Sequence, residues 1–242
     1  MIANIVHAPL VTAESFADAT GVFVPEVERA AVARAVPKRQ AEYFTVRHLA
    51  RRAMGTLGVP GAEQMPILKG ARGAPTWPNG VVGSMTHCTG YRGAVVGYSD
   101  HVRSIGIDAE PHTTLPAGVL PSVSIPDERE WLASAMGEYK GIHLDKVLFC
   151  AKETTYKAWF PITGRWLGFE DAHVTISVDE SPDGALTTGT FESRILIDGT
   201  ALEGDPIHKL AGKWCIDNGL VVAAIAVSHS SGIPTSGADA NG

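Results

Sequence analysis

Twice along this 242-residue sequence a helical pattern gives way to short apolar runs with the alternation of strands, and this order limits the fold more than any other feature. Residues 25–58 read as helical, with Glu26–Ala35 followed by Lys38–Leu57, and Gly58-Val59-Pro60-Gly61 supplies residues that cannot continue the helix. Val81–Met85 and Tyr91–Tyr98 follow as strands, with Val102–Ile107 behind the Ser99-Asp100-His101 turn. A Pro-rich loop over 111–126 leads into a second set, with helices over 127–137 and 144–160. Strands Val174–Val178, Thr188–Ile197 and Lys213–Ser228 complete it, the last folded on itself at the hairpin signal Asp217-Asn218-Gly219. Helix followed by antiparallel strands, twice, predicts an α+β fold. Residues 1–24 read as a strand and loop, and the Gly-, Ser-, Ala- and Asp-rich stretch 230–242 as a disordered tail.

The chemistry concentrates in two segments. Ser104-Ile105-Gly106-Ile107 reads as a strand that ends where the polar residues begin. Alternation along a strand sends Asp108 and Glu110 to one face and Ala109 to the other. Two carboxylates converging there repel unless a cation or a shared proton joins them, and magnesium suits oxygen ligands of this kind. Taken alone, an Asp-x-Glu is more often a solvated acidic strand end before a proline turn, here Pro111.

The second segment is the helix around residue 150, whose Val147, Leu148, Ala151, Thr155, Ala158 and Trp159 recur at spacings of three and four. Lys152 shares a face with Tyr156, and Glu153 with Lys157. In isolation the Glu153–Lys157 pair is a surface ion pair worth a few tenths of a kcal/mol. The aromatic density of Trp159-Phe160-Pro161 and Trp166-Leu167-Gly168-Phe169 reads instead as a pocket wall. Two lysines and three carboxylates suggest metal-assisted phosphoryl transfer.

Charge is divided unevenly: residues 1–107 carry 11 Lys and Arg against 7 Asp and Glu, and residues 108–242 carry 9 against 19. A basic half facing an acidic half suits a phosphate-rich ligand held through a metal. The net charge of −6 argues against nucleic acid as a partner. Cys88, Cys150 and Cys215 are too few and too scattered for a disulfide framework or a zinc site, and Cys88 and Cys150 read as inert buried thiols. No signal peptide or membrane-length apolar run is present, which predicts a cytoplasmic protein without a membrane partner. No P-loop or Rossmann fingerprint is present either.

Gly106-Ile107-Asp108-Ala109-Glu110, followed by Phe149-Cys150-Ala151-Lys152-Glu153-Thr154-Thr155-Tyr156-Lys157-Ala158-Trp159, closely resembles the signature of 4′-phosphopantetheinyl transferases. The likeness is to the large single-chain, surfactin-synthetase-activating type, and within it to the actinobacterial branch with its mycobacterial member. Gly73-Ala74-Pro75-Thr76-Trp77-Pro78 leading to Gly83-Ser84-Met85-Thr86-His87-Cys88 resembles the family's upstream motifs, and the resemblance runs from about Lys38 to Val227.

That resemblance implies a pseudo-twofold fused dimer of two similar α+β lobes with the active site at their interface. The first lobe would span 1–107 and grip coenzyme A phosphates; the second would span 108–229 and carry the carboxylates and the lysine helix. It implies transfer of the phosphopantetheine arm of coenzyme A to a serine of apo acyl or peptidyl carrier proteins of fatty-acid, polyketide and peptide synthases, releasing adenosine 3′,5′-bisphosphate. Asp108, Glu110 and Glu153 would hold magnesium, or manganese in its place, with water or a main-chain carbonyl filling the coordination place that some relatives give to the residue at Ala109. Glu153 would take the serine proton, Lys157 would contact the pyrophosphate and Lys152 would support it. Arg39, Arg47, Lys69, Arg72 and His87 would be the phosphate contacts, with Thr86 lending a hydroxyl or backbone group. Arg51 and Arg52 would share a solvated helix flank. Phe149, Tyr156 and Trp166 would line the pantetheine arm. A monomer is expected. Two other readings stay open: a different magnesium-dependent phosphotransferase or phosphodiesterase, and a catalytically silent module that docks on carrier proteins.

Overall fold

The protein, described here by a computed structural model over residues 1–179 and 186–229, is a mixed α+β structure built on two antiparallel sheets. The expected tail over 230–242 lies outside the described residues. Strands β1 (Val11–Ser15), β2 (Val81–Cys88) and β3 (Tyr91–Tyr98) form a three-stranded sheet in the order β1-β3-β2. Helix α1 (Glu26–Ala31) precedes the long helix α2 (Pro37–Leu57), which packs on that sheet through Leu49, Ala50, Ala53 and Met54 against Ala94 and Val96. Pro37 occupies the first turn of α2, where its missing N–H is no loss, and Gly58 ends the helix at φ 97°.

After α3 (Leu120–Val123) and α4 (Pro126–Glu138), helix α5 (Leu144–Thr163) lies across a five-stranded sheet. Its strands are β4 (Val102–Pro111), β5 (Ala172–Val178), β6 (Thr187–Ile195), β7 (Lys209–Asp217) and β8 (Leu220–Ser228), in the order β4-β8-β7-β6-β5. The predicted apolar stripe of α5 is fully buried from Val147 to Trp159. The hairpin at Asn218 and Gly219 has both residues at positive φ, 50° and 70°, as an Asn-Gly turn of this kind requires.

Two features of β4 differ from the sequence expectation. It does not stop before Asp108 but continues to Pro111, paired with β8 throughout: Asp108 faces Ala223, Ala109 faces Val222 and Glu110 faces Val221. The change of sheet therefore falls at the turn over 99–101, while the expected lobes divide after residue 107. The reason is long-range: β8 supplies a partner for the polar end of β4, and local alternation cannot reveal it.

The two sheets meet edge to edge. β4 and β2 are edge strands, and β2 reaches across with side-chain hydroxyls, Ser84 Oγ accepting from Ile107 N and Thr86 Oγ1 from Ala109 N, each at 3.1 Å. These bonds satisfy amides that would otherwise be left open at a buried edge. On its other side β4 is pressed against α5 at Gly106, where a Cβ would stand 2.2 Å from Thr154 O and 2.8 Å from Ala158 N. Only glycine lets the two backbones approach this closely. The contact sets Asp108, two residues along β4, beside Lys157 of α5.

Candidate active site

Asp108 is the centre of the seam between the sheets. Its Oδ1 accepts from Lys157 Nζ at 2.7 Å and from Thr86 Oγ1 at 3.1 Å, while Oδ2 is buried and has no hydrogen-bond partner among the described residues. Burial alone would lower the Lys157 ammonium, but Asp108 beside it holds the group raised, and a further bond to Ile107 O fixes it at 3.0 Å. Glu110 and Glu153 are both pushed above the ordinary carboxylate range, by burial first and by Asp108 next. Three carboxylates thus share a region with two ammonium groups, Lys157 at Asp108 and Lys146 at Glu110, and burial still leaves Glu110 and Glu153 raised.

Two cavities open on this seam. The first, about 240 Å³, is lined by Arg39, Tyr43, Arg47, Lys69, Thr86, His87, Asp108 and Lys157 among others, so it draws its cations from α2, the loop that follows it and α5. Arg47 is buried over the Tyr43 ring at 3.3 Å and donates from Nε to Ile67 O at 2.7 Å; its desolvation lowers its pKa to about 10. Lys69 is exposed and stands 5.1 Å from the same ring. His87 is brought down to about 4, by burial and then by Arg39. The second cavity, about 360 Å³, shares Gly73, Pro75, Met85 and Lys157 with the first and adds Arg72, Trp77, Glu153, Tyr156, Phe160 and Pro161. One is a basic box and the other a largely apolar slot, with Lys157 between them. A larger groove of about 730 Å³ lies on the outer face of the second sheet beside residues 5–10, and none of the expected site residues lines it.

Residues 27–97 match the family model of the 4'-phosphopantetheinyl transferase N-terminal domain, and residues 104–215 match that of the 4'-phosphopantetheinyl transferase superfamily. The 4'-phosphopantetheinyl transferase PptT of Mycobacterium tuberculosis is 53% identical over 222 residues, covering 92% of this chain and 94% of the relative. This chain belongs to the 4′-phosphopantetheinyl transferase superfamily. The transferase Npt of Nocardia iowensis is 47% identical across 93% of the chain and 99% of its own length, and Svp of Streptomyces mobaraensis is 46% identical across 100% and 95%.

Several expected site residues of this transferase stand elsewhere. Lys152 is buried in an ion pair with Glu128 at 2.8 Å and donates also to Phe169 O and Ala172 O, so all three ammonium hydrogens are used away from the cleft. Lys152 sits five residues from Lys157, more than a third of a turn round the helix, and faces the core instead of the cleft. Phe149 stacks on Phe169 with ring centres 5.9 Å apart and lines neither seam cavity. Trp166 is 55% exposed, packed on Tyr156 at 4.8 Å and under Arg72 at 5.6 Å, so it flanks the apolar slot without lining it. Glu110 also lines neither cavity and pairs with Lys146 at 3.6 Å. Arg51, expected on a solvated flank, is buried against Glu28 at 2.7 Å, whereas Arg52 is exposed. Cys88 is half-buried, with its thiol raised to about 12 by burial and the nearby Glu110 and Asp108.

The Ala109 side chain is buried in the core on the opposite face of β4, so a side chain at that place points away from the carboxylates. Among the described residues no three His, Cys, Asp or Glu side chains form a preassembled metal cage. The donor chemistry nonetheless fits magnesium, which takes one or two carboxylates with substrate phosphates and water in place of a full protein cage. The unpartnered Asp108 Oδ2 and the raised Glu110 and Glu153 are what such an ion would relieve.

Sequence reasoning missed Tyr43, Glu42 and Ser84. Arg39, Tyr43, Val46 and Arg47 fall at helical spacing on one face of α2, a signal legible in the sequence. Nothing local marks Ser84 as a strand-edge donor's partner.

Proposed function

We propose that the protein transfers the 4′-phosphopantetheine arm of coenzyme A to a serine of apo acyl and peptidyl carrier proteins of fatty-acid, polyketide and nonribosomal peptide synthases, releasing adenosine 3′,5′-bisphosphate. The observation that carries this reading is the pair of cavities joined at Lys157, a basic box beside an apolar slot, matching a donor with phosphates at one end and a pantetheine arm at the other. Arg39, Arg47, Lys69, Thr86 and His87 hold the phosphates; Tyr156, with Trp77 and Phe160, walls the arm, and Arg72 and Trp166 stand at its rim.

Phosphoryl-type transfer leaves little covalent work to the protein and depends on charge stabilisation and placement. Lys157 places its ammonium where the pyrophosphate charge develops. Glu153, on the same helix face, has its pKa raised by burial and by Asp108, so its ionised carboxylate is a stronger base than an exposed one and is suited to accept the serine proton. Asp108, Glu110 and Glu153 would hold a magnesium ion, whose charge would further offset that of the pyrophosphate. The same proposal includes the large single-chain type, two similar lobes related by a pseudo-twofold axis, and a cytoplasmic monomer; no helix among the described residues is long and apolar enough to cross a membrane.

Incubating the protein with coenzyme A, magnesium and an apo carrier protein tests the reading by intact mass. A mass gain of one phosphopantetheine on the carrier is expected. An unmodified carrier with hydrolysis of simple phosphate esters would favour the alternative phosphodiesterase, and no reaction at all would favour a silent docking module.

A further inference from the structure

Glu42 is out of place by charge alone. It is a buried carboxylate on α2 inside a cluster of cations assembled for phosphate, and it lines neither cavity. Its Oε2 stands 3.3 Å from His87 Nδ1 and 3.7 Å from Arg39, and its Oε1 stands 3.6 Å from Arg92 Nη2. Arg92 is itself gripped by Asp18 through two bonds of 2.8 and 3.1 Å. Carboxylate, arginine and carboxylate therefore brace one edge of the His87 ring, while Arg39 meets the other edge at Nε2.

These partners constrain the ring protons. Arg39 only donates and stands nearest Nε2, although its Nη1 is also 3.5 Å from Nδ1, while the Glu42 carboxylate stands 3.3 Å from Nδ1; a neutral ring meets both groups best with its proton on Nδ1. His87 is neutral in this state, since burial and then Arg39 bring its pKa to about 4 against the opposing pull of Glu42. The charged groups facing the ring are Arg39 and Glu42 from α2, Arg92 from β3 and Lys157 from α5, with Lys69 and Asp108 across the cavity. A phosphate entering the cavity meets an Nε2 lone pair and is repelled by it until that nitrogen gains a proton.

We propose that Glu42 is a positioning residue for phosphate recognition, turning His87 so that Nε2 faces the cavity and sustaining the imidazolium that forms when a phosphate arrives. The proton comes from solvent and goes to Nε2, leaving the ring between the Glu42 carboxylate and the ligand phosphate. Arg39 is then released from the ring to the same anion. This inference rests on reading the basic cavity as the coenzyme A phosphate site.

The test needs no variant at its first step. Nitrogen-15 spectra of the histidines in the full chain should show His87 neutral and protonated at Nδ1 without ligand, and protonated at both nitrogens with coenzyme A. Calorimetric titration of coenzyme A in two buffers of different ionisation enthalpy should show less proton uptake by Glu42→Gln than by the wild type. Affinity for coenzyme A should fall about tenfold in Glu42→Gln and return in part in Glu42→Asp. Simple charge counting predicts the reverse, since removing an anion near a phosphate site should tighten binding. An Nε2–H tautomer in the free protein, or Glu42→Gln binding as tightly and with the same proton uptake as wild type, overturns the proposal. A wild-type protein that binds no coenzyme A would instead sink the functional reading beneath it.

Discussion

Replacing Gly106 by alanine puts a methyl group into the seam between β4 and α5, the contact on which the site depends. The added carbon would stand 2.2 Å from Thr154 O and 2.8 Å from Ala158 N, both backbone atoms that cannot swing aside. Ordinary contact begins near 3.4 Å, so strand and helix must part by about 1.2 Å. Overpacking of this kind costs roughly 1–3 kcal/mol. At about 2–4 °C per kcal/mol for a chain of this size, Tm should fall by about 2–12 °C. The catalytic effect should be larger. Asp108 and Glu110 ride on β4 while Glu153 and Lys157 ride on α5, and a displacement near 1 Å between reacting groups costs on the order of 10²-fold in rate. Turnover of an apo carrier, followed by intact mass under saturating coenzyme A, should therefore drop about 10²-fold with every catalytic side chain still present. Gly137 on α4 is the control: nothing lies within 4 Å of its added Cβ, so Gly137→Ala should leave turnover unchanged. A Gly106→Ala protein with wild-type Tm and turnover would refute the claim that this close approach sets the site geometry.

Lys152→Ala should cost about 3–5 kcal/mol in denaturant unfolding by stranding the buried Glu128, yet change transfer per folded molecule less than tenfold, whereas Lys157→Ala should cost about 10²-fold or more in rate. Lys69→Ala, removing an exposed cation at the box, should weaken coenzyme A about tenfold by calorimetry and leave Tm unmoved. Because Glu110 and Glu153 are raised on folding, their favourable neutral forms contribute fully below the unfolded carboxylate pKa of about 4.3, and that contribution is lost as pH rises through the raised values. Magnesium should accordingly raise Tm at about pH 7.5 and leave it unchanged at about pH 4; equal shifts at both would remove these carboxylates from the metal site.

The sequence shows the parts of this molecule whose signals are local. Period-two alternation correctly put Asp108 and Glu110 on one face of β4 and Ala109 on the other, and the three-and-four spacing found the buried stripe of α5. What it could not show depends on distant partners. β4 has the same alternation whichever strand it joins, so its pairing with β8, more than a hundred residues away, moved the change of sheet to residues 99–101. Lys152 and Lys157 look alike in a charged helix face until Glu128 and the carbonyls of Phe169 and Ala172 claim the first. Glu42 was invisible for a related reason: its partners His87 and Arg92 come from strands folded against α2, so its spacing to Arg39 alone reads as a surface pair.

If coenzyme A and the metal meet at the seam between the two sheets, manganese will mark the place. Crystals of the protein with coenzyme A and Mn²⁺ should give an anomalous peak at the Asp108 carboxylate, bridging to the pyrophosphate, with the phosphates in the box lined by Arg39, Lys69 and His87. A manganese peak away from Asp108, or coenzyme A bound instead in the groove beside residues 5–10 on the outer face of the second sheet, would rule the seam out as the active site.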